Sequence, residues 1–224
     1  MIDAAKIRAY QSLRETGKEF HSKVMALVPR SIMVATAAEL GLWSKGVLVA
    51  DEGDTDVFAD RMINDKKWEG KNSLEHFEGR ISEDTLTANE RRFFDAMKTG
   101  RFSLFRILKI HPRSHAVLSD RLMEICTGEP QPPVELIDLG LSETGLPGAL
   151  LATRLLDGGG FSMTSGVSFP FSPDREAAIM KYLREKEFGY RKKRFDIPED
   201  YSIYFYRLHR RFGVEVHYGG GEEE

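Results

Sequence analysis

The densest run of charged and aromatic side chains lies between Lys181 and Arg211, where ten Lys or Arg face five Asp or Glu. Tyr182, Phe188, Tyr190, Phe195 and Tyr206 are interleaved with them. Basic side chains neutralise phosphates and aromatic rings stack on unpaired bases, so this composition suits single-stranded nucleic acid. Lys181, Arg184, Tyr190, Arg191, Lys192, Lys193, Arg194, Arg207, Arg210 and Arg211 are therefore the candidate nucleic-acid-binding residues. The competing explanation is a solvated basic face balanced by acidic surface elsewhere, which is what charge runs usually mark.

Three further groups invite a chemical reading and fail its spacing rules. Asp51, Glu52, Asp54, Asp56 and Asp60 do not follow a calcium loop, which needs glycine at its sixth position and glutamate at its twelfth; carboxylates around a helix start answer to the helix dipole instead. His111 and His115 are four apart, but Pro112 between them predicts a turn rather than the helical pair that grips a metal. Gly158-Gly159-Gly160 lacks a following P-loop lysine and reads as a hairpin turn. There is no Gly-x-Ser-x-Gly elbow, and Cys126, the single cysteine, reads as a small buried apolar residue. No catalytic residue, metal or cofactor is expected.

The elements that must position these groups centre on residues 101–171, read as short strands joined by tight turns. Phe102 to Ile110 is a nearly continuous apolar run, and His111-Pro112-Arg113-Ser114 ends it. Ala116–Leu118 and Val134–Leu139 are the next strands, separated by the proline-rich loop 127–133. Pro147-Gly148 has the form of a type II turn, launching Ala149–Leu156. In Phe161–Phe169, Phe161, Met163, Val167 and Phe169 share one face and Ser162, Thr164 and Ser168 the other, which predicts one dry and one wet side. Five short strands in so few residues close most economically into a small barrel.

The segments Phe102–Ile107, Leu146–Arg154 and Phe161–Gly166, with Glu39–Trp43 and Gly46–Val49 upstream, resemble a small β-module of uncharacterised bacterial proteins. Some members of that wider group carry a cysteine-rich SEC-C type zinc motif, which is absent here. The resemblance rests on turn and core residues, so it implies a fold and no activity.

Helical spacing flanks this module. Residues 2–28 form an amphipathic pattern with Gly17 as its weak point, and Pro29 ends it. Ser31 is expected to cap a second helix, and another is expected to begin near Asp54. Ser73–Phe77 follows, and Thr87 with Glu90 has the capping-box form. Beyond the module, Ser172-Pro173 opens a helix to about Phe188, Tyr201–Phe212 has helical spacing, and Val214–Tyr218 reads as an edge strand. The expected architecture is α+β: a mainly helical region 1–100, a small antiparallel barrel-like module 101–171, a C-terminal helical region 172–218 and a tail 219–224.

A net charge of −3 gives no whole-chain attraction to nucleic acid, and no apolar run reaches membrane-spanning length. One cysteine fits a reducing cytoplasm. The expected function is protein–protein interaction without catalysis, with an unknown protein partner and homo-oligomerisation through the first helix held open. Single-stranded nucleic-acid binding by residues 181–211 is the first alternative, and a small-molecule enzyme using the concave surface of the β-module is the second.

Overall fold

In the computed structural model, which describes residues 2–80, 85–187, 189–191, 194–196 and 201–214, the chain begins with helix α1 (Ala4–Met25). Asp3 caps it by accepting from the Lys6 amide. Helix α2 (Arg30–Glu39) follows Pro29, its extended N-cap residue, without a side-chain cap, and the cap expected of Ser31 is not used because Ser31 already lies inside the first turn. The hairpin β1 (Trp43–Ser44) and β2 (Val47–Leu48) follows, then α3 (Glu52–Asn64). Its start lies two residues before the expected Asp54, because Asp51 accepts from the Asp54 amide and caps the helix. Helices α4 (Ser73–Glu78) and α5 (Ala88–Lys98) both open with capping boxes, Asn72 with Glu75 and Thr87 with Glu90. Gly17, the weak point of α1, is where the helix meets the Phe93 ring: an added Cβ would sit 2.7 Å from Phe93 Cζ.

Strand β3 (Arg101–His111) serves two neighbours. Its first half pairs with β6 (Leu150–Asp157) and its second with β4 (His115–Asp120), with a register shift between Ile107 and Lys109 where it bends. Helix α6 (Arg121–Thr127) comes next, capped by Asp120, and β5 (Val134–Leu136) then pairs with β4. The strand expected to reach Leu139 stops at Leu136, because Asp138 caps the short helix α7 (Leu139–Thr144) through the Leu141 amide. Strand β7 (Ser162–Phe171) runs antiparallel to β6 and parallel to β5, closing the barrel in the order β3-β4-β5-β7-β6. A three-stranded meander, a helix, and a hairpin whose last strand inserts between the third and fourth make this an OB-type Greek-key barrel.

The barrel is packed on both faces of its wall. Phe105, Ile107, Ala116, Leu118, Leu136 and Leu151 fill its interior, with Leu141 of α7 against them. The Ser162, Thr164 and Ser168 side of β7 also points inward, where the Ser168 hydroxyl donates to Thr153 Oγ1 at 3.3 Å. The face expected to be wet is thus inside, and the apolar face packs under helices. Phe102, Leu104, Val167, Phe169 and Phe171 join a cluster with α2, α3 and the C-terminal helices. Ile137, Leu156, Phe161 and Met163 join another with α1, α4 and α5.

After β7 a 3-10 turn leads into α8 (Glu176–Tyr182), which continues as a π-type turn over Leu183–Glu187; Phe188, about where the helix is expected to end, lies outside the described residues. Strands β8 (Gly189–Arg191) and β9 (Arg194–Asp196) then form a hairpin, and α9 (Ser202–Phe212) packs on β7 and α3. Most of the expected strand 214–218 lies outside the described residues; Val214 itself donates its amide to Pro170 O at 3.1 Å. Helix α9 is held by a buried ionic group. Arg154, only 6 % exposed on the outer face of β6, bonds Asp65 Oδ1 at 2.6 Å with Asp60 Oδ2 at 3.6 Å. The Ser202 hydroxyl donates to the other Asp65 oxygen. Burial opposes charge on Arg154, and the two carboxylates override it.

Replacing Arg154 by alanine should cost about 3–5 kcal/mol in urea unfolding, since it strands two buried carboxylates; adding Asp65→Asn should recover part of that loss. Gly17→Ala should lower the melting temperature although alanine favours helix, because the buried Phe93 ring must move. Hydrogen bonds from Lys23 and from Thr87 hold the Glu90 carboxyl at about 2. Its stabilisation is complete above the unfolded value near 4.5 and disappears as pH falls through about 2. In acid titrations, Glu90→Gln should therefore flatten the pH dependence of stability in that window.

Candidate binding face of the barrel

Among the described residues, helices cover the outer surfaces of β6, β7 and the first half of β3, which leaves β5, the end of β3 and, on β4, Val117 between the buried His115 and Ser119. Register sets the side chains there. Lys109 pairs with Val117, and Val117 with Glu135, so these three stand in one outward row across three strands. Lys109 is exposed, and Val117 and Glu135 are half-buried. Leu108, at the register shift, is 46 % exposed. Next to that row is the pair His111 and His115, whose rings stack at 4.2 Å and 11°.

The turn that joins β3 to β4 brings the two histidines together. The Ser114 amide donates to His111 O at 3.1 Å, and Pro112 occupies the second turn position, where its fixed φ fits. Arg113 takes the third position at φ 57°, a conformation that suits glycine and costs an L-residue about 1–2 kcal/mol. The His115 ring is bracketed by the Ser114 hydroxyl at 2.9 Å from Nδ1 and Glu135 Oε1 at 3.9 Å from Nε2. Burial and the neighbouring His111 push the His115 imidazole below its ordinary value, so at neutral pH it is uncharged. Among the described residues no group of three His, Cys, Asp or Glu side chains is placed to hold a metal ion.

Charge pairing separates this end of the barrel from the rest. Arg101 pairs with Asp120, Arg106 with Glu176 and Arg154 with Asp65. Lys109 and Arg113 make no ion pair among the described residues.

The residues marked for nucleic acid are distributed over several elements. Lys181 and Arg184 line an open groove between α6 and α8, where Arg121, Asp174, Glu176 and Glu185 make the charge mixed. Arg191 and Arg194 pair across the β8–β9 hairpin that also carries Tyr190, and Lys192 and Lys193 lie outside the described residues. Arg207 and Arg211 are exposed, one helical turn apart on α9. Arg210 is engaged within the fold: it donates to Tyr206 Oη at 2.9 Å, and that hydroxyl donates to Asp54. The Asp51–Asp60 group is divided between capping α3, holding Tyr206 and pairing with Arg154. Cys126 is half-buried, and burial raises its thiol. A small cavity beside Asp60, Arg61 and Ser202 has room for about one water. Sequence reading missed the open face itself, because its residues are single members of three different strands.

A family model described as a family of unknown function (DUF7986) matches residues 4–219. The chain belongs to that family. No curated protein and no solved structure matches it. Among the described residues no helix is long and apolar enough to cross a membrane. Membership in DUF7986 thus covers both the barrel and the helices around it, and brings no activity with it.

Proposed function

We propose that this DUF7986 protein is a non-catalytic binding protein whose barrel offers its open β4–β5 face to an extended segment of a protein partner. The observation that carries this reading is the selective coverage of the barrel: helices bury the other outer strands and leave Leu108, Lys109, Val117 and Glu135 accessible. In OB-type barrels this pair of strands takes oligonucleotides and oligosaccharides, an analogy of fold only. Charge favours a polypeptide over a nucleic acid here. With Arg113 of the adjoining turn, the face holds two cations, one carboxylate and two apolar side chains, too few cations to neutralise a run of phosphates and a fitting mixture for a polypeptide. The half-buried single cysteine fits a reducing cytoplasm, and a bacterial source belongs to the same reading.

A second reading, single-stranded nucleic acid, is favoured by Arg191 and Arg194 side by side at the end of the β8–β9 hairpin. A photo-crosslinker placed at Leu108 in the source cells should yield a discrete protein adduct that Val117→Asp reduces, while the same probe at exposed Arg207 does not. Equal adducts from both positions, or oligonucleotide binding that is lost with Arg191 and Arg194 replaced by alanine, would reverse the order of the two readings.

A further inference from the structure

Resting on the protein-partner reading, we propose that the β3–β4 turn is an anion-recognition subsite, and that the partner's extended segment carries an acidic side chain which docks on Arg113 and Lys109. The first support is conformational. Arg113 stands at φ 57° in a turn position that glycine would occupy without strain. A strained residue persists where the surroundings or the function require it, and the Arg113 side chain is exposed in a surface turn.

The second support is electrostatic. The arginines of the barrel strands, Arg101, Arg106 and Arg154, each have a carboxylate partner within the fold. Arg113 and Lys109 have none among the described residues, and Glu135, the nearest carboxylate of the row, faces His115. Two cations without an ion pair among the described residues thus lie at one end of the open face, Lys109 on β3 and Arg113 in the turn that follows it. Arginine's planar fork suits a carboxylate bidentately, and the pairing is charge-assisted.

The third support is the row itself. In an extended chain alternate side chains share a face, so an acidic residue reaching Arg113 or Lys109 brings the residue two positions on towards Val117 and Leu108. The complementary segment is thus acidic, then apolar, at a spacing of two. A nucleic-acid strand would present a phosphate at every nucleotide to a face that also carries Glu135.

The test uses the full chain and a short peptide repeating Glu-Ser-Val-Ser, followed by amide chemical shifts. Shifts should concentrate in residues 108–117 and 134–136, and Arg113→Gly should weaken the affinity about tenfold, the worth of one charge-assisted contact. The same variant should leave the melting temperature unchanged or raised, because glycine accepts the positive φ. A structural role for Arg113 would lower it instead. Equal binding of a Lys-Ser-Val-Ser peptide, stronger binding of oligothymidylate at this face, or no shift in these residues each overturns the proposal. Loss of the crosslink at Leu108 would remove the partner reading itself. A retained crosslink that Arg113→Gly does not weaken removes only the acidic subsite.

Discussion

A cation inside an apolar wall organises much of this molecule. Arg154 projects outward from β6 into a region that the helices close over, beside the Phe102 ring at 5.8 Å. An uncompensated guanidinium there would cost far more than a typical contact contributes, so carboxylates must meet it. Asp60 and Asp65, near the end of α3, supply them, and Ser202 brings in the first turn of α9. Arg61 and Lys66 meet Glu39 of α2 beside this group. The buried Arg154 thus ties α3 and α9 to the same side of the barrel, and the neighbouring Arg61 ties α2 to α3.

That placement has a consequence on the opposite side. Helices that cover β6, β7 and the start of β3 bury Phe102, Leu104, Val167, Phe169 and Phe171, large apolar groups that a bare barrel would expose. The interior holds fewer and smaller groups and is partly polar, with Ser103, Thr153 and Ser168 bonded within it. Most of the apolar burial therefore lies between wall and helices. The remaining wall, β4 and β5, needs no such cover, since its outward residues are short or polar. Selective wrapping leaves Leu108 and Lys109 exposed and Val117 and Glu135 half-buried.

Several features were legible from local physics. Pro112, Pro147-Gly148 and the glycine run 158–160 punctuated the strands correctly, because φ restrictions act within a few residues; Gly148, Gly159 and Gly160 all have positive φ. The Thr87–Glu90 capping box and the Tyr201–Phe212 periodicity also held, since both are one-helix properties. The boundaries of β5 and α7 were not legible: Asp138 could end a strand or cap a helix, and only its bond to the Leu141 amide decides. The alternation of β7 does mark two faces, but its polar side turns into the closed barrel, with Thr164 buried and Ser162 and Ser168 half-buried.

The sequence alone determined an α+β chain with a small barrel between helical regions, because turn chemistry and side-chain periodicity are encoded in neighbouring residues. Tertiary structure alone decided which face of each strand looks inward, that Arg210 is engaged while Arg113 makes no ion pair among the described residues, and that His111 stacks on His115 beside Glu135. Those facts depend on strand register and barrel closure, which bring together residues distant in the chain, and no local pattern records them.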